Sequence, residues 1–319
     1  MSSIIKFRRF ILLTTAATYL LIFTGGLVRV SGAGLGCPDW PKCFGRWIPP
    51  TNINQLPADI DPSRFNITLA WIEYSNRLIG VVVGLLIALT ALWALKSFRK
   101  QRAVVWTTVT AAILTAFEGW QGGAVVTSEL KSVIVSVHTL VALVIVGLLV
   151  VATHTAYTLD RATNVRATNH FARMKRWIVA LLAMTVAQVL LGTQMRSALE
   201  TISARKPVAS AAHWVSQIGI VNHIHMLVAC VLIVATLIIG FRTLKEIVPS
   251  EKVARRAVAI AMALIVGQFC LGLAFLAVGI PATLQVFHLW IGSLYVGALL
   301  VWYAEARRPL SASAGSAAK

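Results

Sequence analysis

Acidic residues are scarce in this chain: 11 Asp and Glu among 319 residues, against 29 Lys and Arg. Charged residues of both signs make up only 13%, about half the share of an ordinary soluble domain. With 58% hydrophobic residues, that shortage excludes a soluble globule. Long polar segments are also missing. The longest, 31–68, is a loop, so no room remains for a separate soluble domain. Only four cysteines are present, and no third ligand stands near any pair of them, which argues against a structural metal site. Helices interrupted at the membrane midplane are not evident, and this weighs against a transporter.

What remains is apolar sequence in membrane-length runs. A span needs about 20 apolar residues. Eight candidates fall near 10–30, 70–95, 104–127, 133–156, 175–197, 217–241, 254–277 and 283–304. The fold class is therefore all-α, a polytopic membrane protein of eight transmembrane helices. Its net charge of +18 is concentrated on one side. Lys6, Arg8 and Arg9, then Lys96 to Arg102, Arg161 to Arg176, Arg242 to Arg256 and Arg307 with Arg308 all face the same compartment in an eight-span threading. That positive-inside pattern puts both termini in the cytoplasm and removes nucleic acid as a partner. The first apolar run exceeds a signal-peptide core and is expected to stay as span 1. No Arg-rich, Ser-rich transit extension precedes it, which favours a bacterial inner membrane.

The chain repeats itself. With Glu118–Val150 laid over Gln268–Leu300, Gly122 falls on Gly272, His138 on His288, Gly147 on Gly297 and Leu149 on Leu299. The ends of spans 1 and 5 match as well, Gly25 with Gly192 and Arg29 with Arg196. Two four-span halves follow, 1–157 and 174–305, with a basic linker 158–173 between them and a tail 306–319. An even number of spans in each half makes the repeat parallel, with each half a four-helix bundle. Glu73, Asn76, His138, His225 and His288 all fall near the outer starts of spans 2, 4, 6 and 8, at similar depth. Ionisable rings at matched positions of apolar helices are costly in lipid and mark function. Facing histidines suit the two axial positions of a haem. Small residues four positions on (Gly80, Ala142, Ala229 and Gly292) would let a flat ring approach, although membrane helices use such residues for packing anyway.

The remaining polar residues admit simpler readings too. Cys37 and Cys43 flank a short proline-stiffened segment in the first outer loop, an oxidising setting that favours a disulfide over two free thiols. Cys230 and Cys270 are expected as small buried apolar residues. Glu73 and Arg77, four residues apart, have ion-pair spacing. Arg29, Arg77 and Arg196 at the outer edge suit either haem propionates or lipid headgroups. Glu118 is either a proton-relay carboxylate or a buried acid bonded within its own bundle. His213 and His223 are expected at the rim, and His154 and His170 in solvent on the cytoplasmic side.

The segment from Gly25 to Gly45, reading GGLVRVSGAGLGCPDWPKCFG, resembles the first outer loop of haem A synthases, the cytochrome oxidase assembly family. Trp71 to Arg77 is similar to that family's Glu-Tyr-x-His-Arg segment, and the histidines opening spans 4, 6 and 8 match. The resemblance covers nearly the whole chain. It implies oxidation of the C8 methyl of haem O to the formyl group of haem A, with haem O as substrate and haem A as product. It further implies a resident haem b on His225 and His288 in the C-terminal half, the substrate haem on His138, and Glu73 as the catalytic acid. The implied partners are haem O, a haem O synthase that supplies it and membrane lipid. The electron acceptor and any homo-oligomer stay open. Three positions depart from the family pattern: Asn76 replaces a His, Met226 an Arg and Glu118 a Gln. Asn is a poor iron ligand. Either the substrate haem is held by His138 alone with one open position, or the chain is a non-catalytic haem chaperone of the same family. A di-haem electron-transfer protein is a third class, for which no quinone pocket is evident.

Overall fold

The computed structural model describes residues 3–58, 60–160, 174–205 and 211–307. Most of the expected linker 158–173, with His170, and nearly all of the tail 306–319 lie outside them. Among the described residues there are nine α-helices and no strand. They are α1 (Ser3–Val30), α2 (Ile67–Ser97), α3 (Arg102–Thr127), α4 (Ser132–Thr158), α5 (Lys175–Arg205), α6 (Ala211–Ser216), α7 (Ile220–Glu246), α8 (Lys252–Val278) and α9 (Ala282–Ala306). All but α6 are long and apolar enough to cross a membrane. The helices overrun the apolar runs that announced them, because their polar ends still hydrogen-bond along the chain. Arg8 pairs with Asp160 at 2.7 Å beyond the apolar part of α1, and α5 continues past residue 197 to carry Glu200.

Local chemistry sets the boundaries. The Asn66 side chain accepts the Leu69 amide at 3.1 Å and caps α2. Gly219 and Gly279 adopt φ of +72° and +78°, a conformation that suits glycine, where the chain breaks before α7 and after α8. Within the helices, threonine hydroxyls bond back to the carbonyl four residues earlier, as at Thr14, Thr15, Thr18, Thr90 and Thr108. That satisfies a polar group where lipid cannot.

Helices α1 to α4 pack as a closed ring of neighbours, and α5, α7, α8 and α9 form a second. The rings meet where α1 and α4 touch α9 and where α4 touches α5. In each ring the second and fourth helices stand across from one another. Thr15 to Thr153 at 2.8 Å ties α1 to α4, and Ser136 to Thr193 at 2.8 Å ties α4 to α5. Tyr295 reaches across the second ring to Thr236 at 2.5 Å.

The apolar core is unevenly placed. Its large clusters, around Phe7 and Ile11, around Val83, Ile87, Ile145 and Leu149, and around Leu181, Leu232, Leu299 and Trp302, all occupy the half of each ring nearest the chain termini. The other half, where α2, α4, α7 and α9 begin, carries the histidines; its buried cluster among the described residues is the smaller one of Cys37, Cys43, Phe44 and Ala70 under the first loop. Two expectations fail here. His154 is not solvated: its side chain is 11% exposed and its Nε2 lies 2.7 Å from Oε1 of Glu305, which is 1% exposed. The α4 face that carries it packs against α9 at the seam between rings, and helical periodicity alone does not show this. Cys230 and Cys270 are not buried either, but exposed on helix surfaces, where lipid accepts a small apolar residue as readily as a core does.

At the seam, a Cβ added to Gly297 would collide with the Tyr19 hydroxyl and touch Val150. Gly297→Val should therefore cost about 1–3 kcal/mol, seen as a lower Tm in detergent. An unchanged Tm would contradict this close approach of α1, α4 and α9.

Candidate functional site

The site-forming residues lie within the first turns of α2, α4, α7 and α9, at the end away from the core. At about 1.5 Å per residue, His138, His225 and His288 sit at nearly the same depth.

In the second ring, the α5 carboxamide of Gln188 donates to the His225 carbonyl at 2.9 Å. A Cβ at Gly192 would come 3.5 Å from Cε1 of His225, and one at Gly272 would come 3.9 Å from Cε1 of His288. Glycines on α5 and α8 thus give each ring its space. Phe275 packs edge-on against His288, with centroids 5.2 Å apart.

In the first ring, His138 Nδ1 lies 3.0 Å from Glu118 Oε1. With its carboxamide turned to satisfy both neighbours, Gln121 donates to Glu118 Oε2 and accepts from the His138 amide, each at 3.2 Å. Asn76 is engaged elsewhere, its Oδ1 accepting from the Thr24 hydroxyl at 2.7 Å. A Cβ at Gly25 or Gly122 would meet nothing within 4 Å.

Above this level sits the loop that α1 feeds into α2. Cys37 and Cys43 are joined as a disulfide, and both are fully buried. Asp39 accepts the amides of Phe44 at 2.6 Å and Gly45 at 2.9 Å, closing the loop on itself. Glu73, 4% exposed, accepts the Cys37 amide at 2.8 Å and pairs with Arg77. Arg77 donates in turn to the carbonyls of Asp39 at 2.9 Å and Lys42 at 2.8 Å. The Glu73 to Arg77 spacing is thus an ion pair that fastens the disulfide loop to α2. A Cβ at Gly36 would run into the Leu69 backbone, so this contact requires glycine.

Arg29 and Arg196 converge at the seam between rings. Both reach Glu200 Oε1, at 3.5 and 2.7 Å, and Arg196 also donates to Gln285 at 2.6 Å. Glu200 was not singled out from sequence. Its place four residues after Arg196 was the available signal. The roles of Gln188 and Gln121 were missed as well, because a lone amide in a helix does not announce its partner. His213 pairs with Gln217 at 2.9 Å near the rim, and His223 is exposed.

The arrangement fits a porphyrin iron. The Nδ1 atoms of His138, His225 and His288 are buried and make no hydrogen bond of acceptable geometry. Gly192 and Gly272 stand beside the rings of His225 and His288, and Gly25 and Gly122 have nothing within 4 Å of a Cβ position, so no side chain from these positions crowds the histidines. Imidazole is a donor that haem iron accepts.

A family model described as cytochrome oxidase assembly protein matches residues 8–300. The haem A synthase of Alkalihalophilus pseudofirmus is 26% identical over 292 residues, covering 90% of this chain and 93% of that protein. The haem A synthase of Shouchella clausii is 24% identical over 293 residues, covering 90% and 92%. That of Shewanella oneidensis is 32% identical over 145 residues, covering 43% and 42%.

The loop clamp yields a direct test. Arg77→Ala removes charge-assisted bonds to two loop carbonyls, each of order 1.5–3 kcal/mol. Amide hydrogen exchange at Cys37 should speed up about tenfold or more. Unchanged exchange would show that the loop is held by other contacts.

Proposed function

The chain belongs to the haem A synthase family of cytochrome oxidase assembly proteins, and from that premise we propose that it oxidises the C8 methyl of haem O to the formyl group of haem A. With one water as the net source of oxygen, conversion of the methyl to the formyl group releases four electrons and four protons, the electrons passing to an external electron acceptor. Two successive oxidations give the hydroxymethyl group and then a geminal diol, which loses water to leave the aldehyde. When bound, the haem iron supplies the oxidative chemistry; the protein supplies position, electrostatics and exclusion of water.

In this reading residues 1–157 form the substrate unit and 174–305 the haem b unit, with 158–173 joining them. His138 holds the substrate haem, and His225 with His288 hold haem b. The observation that supports the assignment is three histidines at one level of the two rings, away from the larger apolar clusters of each. Asn76, its side-chain oxygen bonded to Thr24, is a poor iron ligand, so a haem bound in the first ring would be held through His138. Glu73 accepts the proton released from the methyl carbon, with Arg77 balancing its charge. Arg29 and Arg196, repeat-related and gathered on Glu200, are suited to propionates at the seam. Both termini face the cytoplasm, which places the disulfide loop on the oxidising side.

Co-expression with a haem O synthase in a host lacking haem A, followed by haem extraction, tests the proposal. Haem A should appear with the wild-type chain and vanish with His138→Ala. Glu73→Gln should cut its formation about a hundredfold while haem O remains bound. Haem B and unconverted haem O alone, in a folded wild-type protein, would instead make the chain a non-catalytic haem carrier.

A further inference from the structure

Among the described residues seven buried side-chain nitrogen or oxygen atoms lack a hydrogen bond of acceptable geometry. Six form two matched sets: Nδ1 of His138, His225 and His288, and Oε1 of Glu118, Gln188 and Gln268. The three nitrogens and three oxygens gather in one half of the molecule, and one pair of them, His138 Nδ1 and Glu118 Oε1, is 3.0 Å apart. A neutral imidazole that offers Nε2 to iron carries its proton on Nδ1. That proton, once buried, needs an acceptor.

The acceptors are placed by a pattern that runs through the whole chain. Each stands four residues before a glycine on the helix beside a histidine: Glu118 before Gly122 on α3, Gln188 before Gly192 on α5, Gln268 before Gly272 on α8. Gln188 bonds the backbone of His225, Gly192 faces its ring, and Gly272 faces the ring of His288. Gln268 also lies against Gly292, one turn beyond His288, with Nε2 3.5 Å from where a Cβ would be. The fourth instance is Leu21 before Gly25 on α1. It lies against Gly80, one turn beyond Asn76, its Cδ1 4.0 Å from that Cβ position. Where the histidine is absent, so is the polar acceptor.

We propose that Glu118, Gln188 and Gln268 are the acceptors that orient His138, His225 and His288 toward iron, and that Glu118 makes His138 the strongest donor of the three. The proposal rests on the ligation reading given above. Glu118 is the carboxylate among two carboxamides, and its Oε1 lies 3.0 Å from His138 Nδ1. An anionic acceptor pulls the Nδ1 proton more strongly than an amide oxygen and raises ligand basicity. Gln121, bonded to the second oxygen of Glu118, keeps the first one aimed at the ring. The two rings then carry different iron environments by construction. One ligand with a carboxylate behind it serves the substrate haem, and two ligands with neutral amides behind them serve haem b. Glu118 acts through His138 and is a positioning residue.

The test uses full-length protein purified with its haems. In Glu118→Gln the iron–histidine stretch of the ferrous N-terminal haem should move to lower frequency and its midpoint potential should rise, with haem content and the haem b potential unchanged. Gln268→Glu should lower the haem b potential in the opposite sense. Glu118→Leu should weaken haem retention about tenfold or more, while Glu118→Gln keeps it. An unmoved stretch and potential in Glu118→Gln would overturn the proposal and leave ligation standing. Persistence of the iron–histidine band in His138→Ala would overturn the ligation reading itself, whatever Glu118→Gln shows.

Discussion

A polar atom buried in an apolar bundle without a partner costs several kcal/mol in a membrane setting, and most of this chain is arranged to avoid that cost. Threonines return their hydroxyls to their own helix or meet each other across seams, as Thr14 does with Thr90 at 3.0 Å. His154 is closed by Glu305, and Asn76 by Thr24. Among the described residues six of the seven buried atoms without a hydrogen bond of acceptable geometry gather around the histidines, the seventh being Trp302 Nε1 in the core of the second ring. Three imidazole nitrogens and three side-chain oxygens among the described residues are thus gathered at one level, with His138 Nδ1 already 3.0 Å from Glu118 Oε1. Packing supports this: diagonal helices are bridged by Tyr295 and Thr236 in the core half, while glycines line the histidine half.

The disulfide loop belongs to the same design. Glu73 and Arg77 sit one turn apart on α2, beside Asn76, and spend their hydrogen bonds on the loop backbone. Whatever Glu73 does chemically, its position depends on the loop that Cys37 and Cys43 close. Glu73 is in this way a structural clamp, and its place on α2 is tied to the integrity of that loop.

Much of this was legible in the sequence. Eight apolar runs, the matched positions of His138 and His288, the Cys37 and Cys43 pair and the four-residue spacing of Glu73 and Arg77 could be read directly, because each depends on local periodicity. What depends on how helices face one another was not legible. His154 reads as a solvated residue until α4 is laid against α9. Glu200 draws no notice until α5 brings Arg196 beside Arg29. Cys230 and Cys270 read as core because lipid and core select the same side chain. The glycine-spaced acceptors were printed in the chain throughout, but their meaning needed the register between neighbouring helices.

Electron paramagnetic resonance of the purified, oxidised protein tests the central claim most directly, since spin state reports axial ligand number. The account predicts two species: a low-spin haem with two histidine ligands in the second ring and a high-spin haem held by His138 alone in the first. A protein carrying both haems that gave only low-spin signals would contradict it, because a second strong ligand would then occupy the face left open by Asn76.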